Sequence, residues 1–124
     1  MKTSKKIIKW AKDKDLLNPE NIEKQHSKLV EECGELGHEI RLLANLREIK
    51  ENLIDDIDFF DNVTLNIIED ILIDRISLEI GDNAVVLEIL SNQVGLTLKE
   101  CKKRAYEKIK IRTGETVNGE FIKD

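Results

Sequence analysis

Apolar residues recur at steps of three and four along most of this chain, the period of helices that bury one stripe and expose the rest. A short first helix is expected over about residues 4–14, with Ile7, Ile8, Trp10 and Ala11 on its apolar side. LLNPE breaks that pattern. Asn18 ahead of Pro19 and Glu20 reads as a cap with proline in the first turn, so a second helix should run from about Pro19 to about Asn45. Its stripe is Leu29, Val30, Cys33, Leu36, Ile40 and Leu43. A third helix, over about 48–73, places Leu53, Ile57, Phe60, Thr64, Ile67 and Ile71 at alternating four- and three-residue steps, the spacing of a helix-packing seam. A fourth, over about 75–94, ends at Gly95 as a left-handed cap, and Thr97 caps a fifth over about 98–111. Thr113 and Gly114 open a polar tail over about 113–124. The pattern predicts an all-α bundle of about five helices.

Composition supports that reading. The 124 residues are enough for one core and too few for two. Hydrophobic residues at 40% are too many for a disordered chain, while 4% aromatics and a single proline disfavour a sheet-rich fold. A net charge of −5 argues against binding a nucleic-acid polymer, which needs a dominant basic field. Cys33 and Cys101 are far apart and form neither a metal-type CxxC nor a disulfide framework, so a reducing, cytoplasmic setting is expected. No apolar run approaches the roughly 20 residues that span a bilayer, and no membrane partner is expected.

The informative residues are acids in unusual places. At about 100° per residue, Glu79 and Asp82 fall within the arc that holds Leu78, Val86, Ile89 and Leu90. Ionised carboxylates on an apolar face need cationic side chains or a metal ion. On the second helix Glu32 borders the apolar stripe, and Glu35 lies one turn on, close enough round the axis for both to reach one point. Two helices that each offer a pair of acids can supply the oxygen-rich coordination that Mg²⁺ or Mn²⁺ prefers. His38 points near the solvated side and His26 stands alone, which disfavours a di-iron site of the ExxH type. The plain alternative for an ExxE on a charged helix is a solvated face.

KLVEECGEL at 28–36, EIGDNAVVLEIL at 79–90 and AYEKIKIRTGETVNGEFIKD at 105–124 together resemble the MazG-like nucleotide pyrophosphohydrolases, especially the short phage and bacterial forms. IIKWAKDKDLL and NPENIEKQ fit the same pattern. The resemblance implies a single all-α NTP pyrophosphatase domain over 1–124, a homodimer or homotetramer, and cleavage of a nucleoside triphosphate between its α and β phosphates to give a monophosphate and pyrophosphate. It implies Mg²⁺, or Mn²⁺, held by Glu32, Glu35, Glu79 and Asp82, with Glu31 beside the first pair binding a second ion or orienting water. Such metals neutralise triphosphate oxygens and lower the pKa of the attacking water.

Phosphate contacts need cations, and Lys28, Lys110 and Arg112 lie inside the family-like motifs, whereas Lys102 and Lys103 read as solvated positions. Tyr106 is placed to stack on a base or to pack with Ile109. Asn118 and Lys123 match the tail motif, and Trp10 reads first as a core anchor. The chain departs from the family in the helix expected over about 46–75, which resembles an insert. There DFFDNV faintly echoes EIGDNAV, so Asp58 and Asp61 form an alternative second pair, although Gly81 and the match downstream favour Glu79 and Asp82. Glu51, Asp55, Asp56 and Asp70 read as a solvated face. The competing function is a catalytically silent helical module that binds nucleotides or a protein partner through the insert.

Overall fold

The computed structural model describes residues 1–53 and 58–124, Phe59 by its backbone alone. Its helices are α1 (Thr3–Asp13), α2 (Ile22–Asn52), α3 (Phe59–Gln93) and α4 (Leu98–Ile109), followed by strands β1 (Gly114–Val117) and β2 (Glu120–Lys123). The architecture is essentially all-α. Among the described residues there are four α-helices where five were expected, because the third and fourth are one. Nothing near Asp74 and Arg75 can stop a helix: no glycine, proline or capping geometry intervenes. Likewise α2 continues beyond Asn45, because NLREIKEN consists of residues that tolerate or favour helix. Among the described residues there is thus no separate inserted helix over 46–75: residues 46–52 end α2 and residues 59–75 begin α3.

The helix starts follow local chemistry. Asn18 Oδ1 accepts from the Glu20 amide at 3.0 Å ahead of a short 3₁₀ turn at Pro19–Asn21. Asp58 Oδ1 accepts from the Asp61 amide at 2.9 Å and so caps α3. Thr97 Oγ1 accepts from the Glu100 amide and donates to its carboxylate, both at 3.1 Å, a reciprocal cap at the start of α4. Gly95, at φ 79°, supplies the left-handed residue that ends α3, as its position predicts.

The tail is ordered rather than merely polar. Asn118 and Gly119 both have positive φ, 50° and 81°, the conformation of a tight hairpin turn, and they join β1 to β2 in antiparallel pairing with Gly114 opposite Lys123. All eight strand residues are exposed.

The helices α2 and α3 form an antiparallel hairpin, and its buried and half-buried positions repeat every seven residues. On α2 they include Leu29, Glu32, Leu36, Glu39, Leu43, Leu46 and Lys50; on α3, Glu69, Leu72, Ile76, Glu79, Asn83, Val86, Leu90 and Gln93. This seam shares Leu29, Leu36 and Leu43 with the stripe expected on α2 but is rotated from the rest of the apolar pattern. Val30 (60% exposed), Ile40, Phe60, Ile67 and Ile71 face outward, and Thr64 is exposed too. The pattern misleads because several seam positions are polar and matched across the pair, leaving apolar residues on the flanks. Ile57, Asp55 and Asp56 lie outside the described residues.

Against the C-terminal half of α3, α1 packs through Ala11, which is fully buried, alongside Ile89 and Val86. Ser4 Oγ donates to the buried Glu88 at 2.7 Å, and Gln93 Nε2 donates to the Leu16 and Asn18 carbonyls at 3.3 and 3.1 Å. Those bonds fix α1 and its connection to α2 over one end of the hairpin, where a cleft opens.

Candidate metal centre

Glu32 occupies a seam position in the N-terminal half of α2, and Glu79 occupies one on α3. The three-residue step from Glu79 to Asp82 turns both acids toward α2. One carboxylate oxygen from each of Glu32, Glu79 and Asp82 lies within 4.8 Å of the others. Glu32 is 7% exposed, and the Oε2 atoms of Glu32 and Glu79 are buried without a hydrogen-bond partner among the described residues. Buried anionic oxygens in this condition are costly, and facing one another they repel.

The surrounding charges relieve only part of that cost. Lys28 Nζ stands 3.1 Å from Glu32 Oε1 and 3.4 Å from Glu31 Oε1. The hydrogen bond to Glu32, then that to Glu31, raises the Lys28 ammonium above its usual 10.5. Glu35 lies beside the cluster without entering the tight group: the charge of Glu32 first, then desolvation and Glu79, raises its carboxyl above 4.5. Glu31 is exposed and paired with Lys28. A set of three carboxylates with no histidine or thiol in the group is the donor chemistry of a hard divalent cation, so the residues fit Mg²⁺ or Mn²⁺.

The acids expected in the insert have a different job. Asp58 caps α3, and Asp61 lies some 30 Å from Asp82 along the helix at 1.5 Å per residue. They do not complete the cluster. Glu79 is half-buried on the seam and Asp82 is exposed at its flank, while Leu78, expected on their apolar face, is 64% exposed; the two acids do not sit within a continuous apolar patch.

Beside the acids lies a cleft of about 460 Å³ lined by Glu32, Asp82, Val86 and Ile89 on its floor and by Trp10, Lys24, Gln25 and Lys28 around its rim. Trp10 is 50% exposed, so it borders this cleft and is not a core anchor. Lys24 has no ion-pair partner among the described residues. Of the expected phosphate-binding residues, Lys28 alone lines the cleft. Tyr106 is on α4 and 59% exposed, Lys110 pairs with Glu107 at 2.5 Å, and Arg112 lies exposed beyond α4. Lys102 and Lys103 are exposed on α4; Asn118 forms the hairpin turn and Lys123 pairs with Gly114 in the strands. His26 and His38 are exposed.

Three residues of this region are not among the expected site residues, although Lys24 and Gln25 lie in NPENIEKQ and Asn83 in EIGDNAVVLEIL. Lys24 is one helical turn before Lys28, a signal readable only once the cleft is known. Gln25 belongs to the α2 seam. Asn83 is buried (9% exposed) and donates from Nδ2 to the Glu79 carbonyl at 2.8 Å and the Glu32 carbonyl at 3.2 Å, while its Oδ1 accepts from the Cys33 thiol at 3.2 Å. The remaining described cysteine, Cys101, is likewise a free thiol.

No family model matches the chain, and neither a curated protein nor a solved structure matches it. No helix among the described residues is long and apolar enough to cross a membrane.

Proposed function

We propose that the protein is a metal-dependent nucleoside triphosphate pyrophosphohydrolase, releasing pyrophosphate and a nucleoside monophosphate, as its resemblance to MazG-like enzymes implies. The observation that carries this reading is the convergence of Glu32, Glu79 and Asp82, with two buried, unpartnered carboxylate oxygens, at the edge of a cleft rimmed by lysines. Glu32, Glu79 and Asp82 hold the cation and Glu35 stands ready as a further acid beside it. The cation supplies charge neutralisation of phosphate oxygens and activation of water.

In this reading the chain's own groups do the rest. Lys24, unpaired at the rim, takes up negative charge of the polyphosphate, and Lys28 exchanges part of its contact with Glu31 and Glu32 for phosphate. Trp10 offers a half-exposed aromatic face at the other wall, suited to the flat face of a base. Val86 and Ile89 make the floor apolar and limit access of bulk water.

Self-association belongs to the same reading. Val30 and Ile40 on α2, and Ile73 and Ile80 on α3, are all 44% or more exposed, and they flank one side of the hairpin. Such apolar flanks suit packing against a second copy in a homodimer or homotetramer.

Pyrophosphate release from a panel of ribo- and deoxyribonucleoside triphosphates, with Mg²⁺ or Mn²⁺, tests the activity. Turnover that requires metal and disappears in Glu32→Gln and Glu79→Gln supports the enzyme. No turnover on any nucleotide by folded, metal-binding protein rejects it in favour of a silent binding module.

A further inference from the structure

Three acids within 4.8 Å of one another, one on α2 and two on α3, push those helices apart wherever no cation sits between them. Lys28 offsets part of the Glu32 charge but makes no bond across to α3, because both of its partners, Glu31 and Glu32, belong to α2. The Glu39–Arg75 and Lys50–Glu69 bridges do join the helices, but further along the hairpin. At the level of the acids, the side-chain hydrogen bonds that cross between α2 and α3 among the described residues both run through Asn83.

We propose that Asn83 is a positioning residue of the acidic centre, holding Glu32 against Glu79 and Asp82 at the separation a divalent cation needs. The inference rests on the cation-binding reading above. One Nδ2 hydrogen goes to the carbonyl of Glu79 and the other to that of Glu32, so the amide ties together the main chains from which the two facing ligands project. The Cys33 thiol supplies the matching donor for Oδ1. A reversed amide would place its oxygen against two carbonyl oxygens and its nitrogen against the thiol, so the three partners together select one orientation. Asn83 is 9% exposed and its bond to the Glu32 carbonyl is buried, which limits competition from water there, while its Cys33 partner is exposed. Glu32 and Asp82 are set by their helices; Asn83 sets the helices relative to each other.

The test is Mn²⁺ affinity, measured by isothermal titration calorimetry on chelator-stripped, full-length protein, with circular dichroism melting in chelator alongside. Asn83→Val should weaken Mn²⁺ about tenfold or more, the usual cost of removing a group that orients metal ligands. Leu72→Val, on the same buried seam but remote from the acids, serves as the control for stability alone: it should lower the melting temperature and leave Mn²⁺ affinity unchanged. Equal weakening in both variants, or unchanged affinity in Asn83→Val, overturns the proposal. If Asn83→Val fails to fold, Cys33→Ala and Cys33→Ser decide. The alanine should weaken Mn²⁺ and the serine, which restores a donor to Oδ1, should recover it; unchanged affinity in Cys33→Ala overturns the proposal. Failure of the unmodified protein to bind Mn²⁺ removes the cation-binding reading itself, and the inference with it.

Discussion

The two halves of the α2–α3 hairpin treat the same problem, acids on a helix-packing seam, in opposite ways. In the far half each seam acid meets a cation across the pair: Glu39 Oε1 accepts from Arg75 at 2.5 Å, although its Oε2 is buried without a partner among the described residues, and Glu69 accepts from Arg47 at 2.9 Å and Lys50 at 2.6 Å. Its hydrogen bonds to Lys50 and then Arg47 pull the Glu69 carboxyl below 4.5. In the near half acid faces acid, and Glu35 is shifted the other way. A seam that can match its charges in one half and leaves them opposed in the other has an unfilled requirement there, which is why the near half reads as a site.

The largest effect expected from this contrast is on cation response. Mn²⁺ or Mg²⁺ at about a hundred times its dissociation constant should raise stability by ~2.7 kcal/mol, since it binds only the folded chain. Differential scanning fluorimetry should show that gain in the unmodified protein and none in Glu79→Gln. Neutralising Glu69 should leave the gain intact.

Breaking the far half should produce the reverse profile. Arg75→Ala leaves the buried Glu39 carboxylate without its cation and should cost about 2 kcal/mol in urea unfolding. The loss should be the same with or without metal, and Glu39→Leu in the same chain should restore most of it.

Acid titration sharpens the comparison by sign. Glu35 is raised in the fold, so the folded, metal-free protein takes up its proton first, and the repulsion it adds is relieved as pH falls through its folded pKa toward 4.5. Glu69 is lowered, so the stability its bridges give is present above 4.5 and lost as pH falls below that through its folded pKa. Urea midpoints against pH should therefore rise and then fall on acidification. Glu35→Gln should flatten the first limb and Glu69→Gln the second.

Smallest of all should be the outer rim: Glu31→Gln removes one of two contacts of an exposed lysine and should leave the melting temperature nearly unchanged.

The acids were legible in the sequence because their spacing on helices is a local property. Glu32, Glu79 and Asp82 needed only two correctly assigned helices. The caps at Asn18, Asp58 and Thr97 are local too, although Asp58 was read as a possible ligand and not as a cap. The seam was legible only in part: Leu29, Leu36 and Leu43 lie on it. Apolar periodicity pointed to Phe60, Ile67 and Ile71, whereas polar residues matched across the helix pair occupy the buried line; pairing between distant segments leaves no periodic trace. Two boundaries were missed for the same reason, since a long hairpin needs no break where its chemistry changes. The terminal hairpin was a different omission: Asn118-Gly119 between Val117 and Phe121 is a strong turn signal, outweighed in the sequence reading by the exposed, polar character around it.

The polar seam also determines how the two long helices line up during folding. A hairpin with leucines at every inner position would lose little by sliding one heptad, because each layer would meet another like it. Here, sliding α3 by one heptad in one direction would face Glu32 with Leu90 in place of Asn83, and in the other would face Glu39 with Ile68 in place of Arg75. Both alternatives bury an unmatched charge. The charges that cost stability therefore act as an alignment code, and a variant with a wholly apolar seam should be harder to unfold yet populate more than one register.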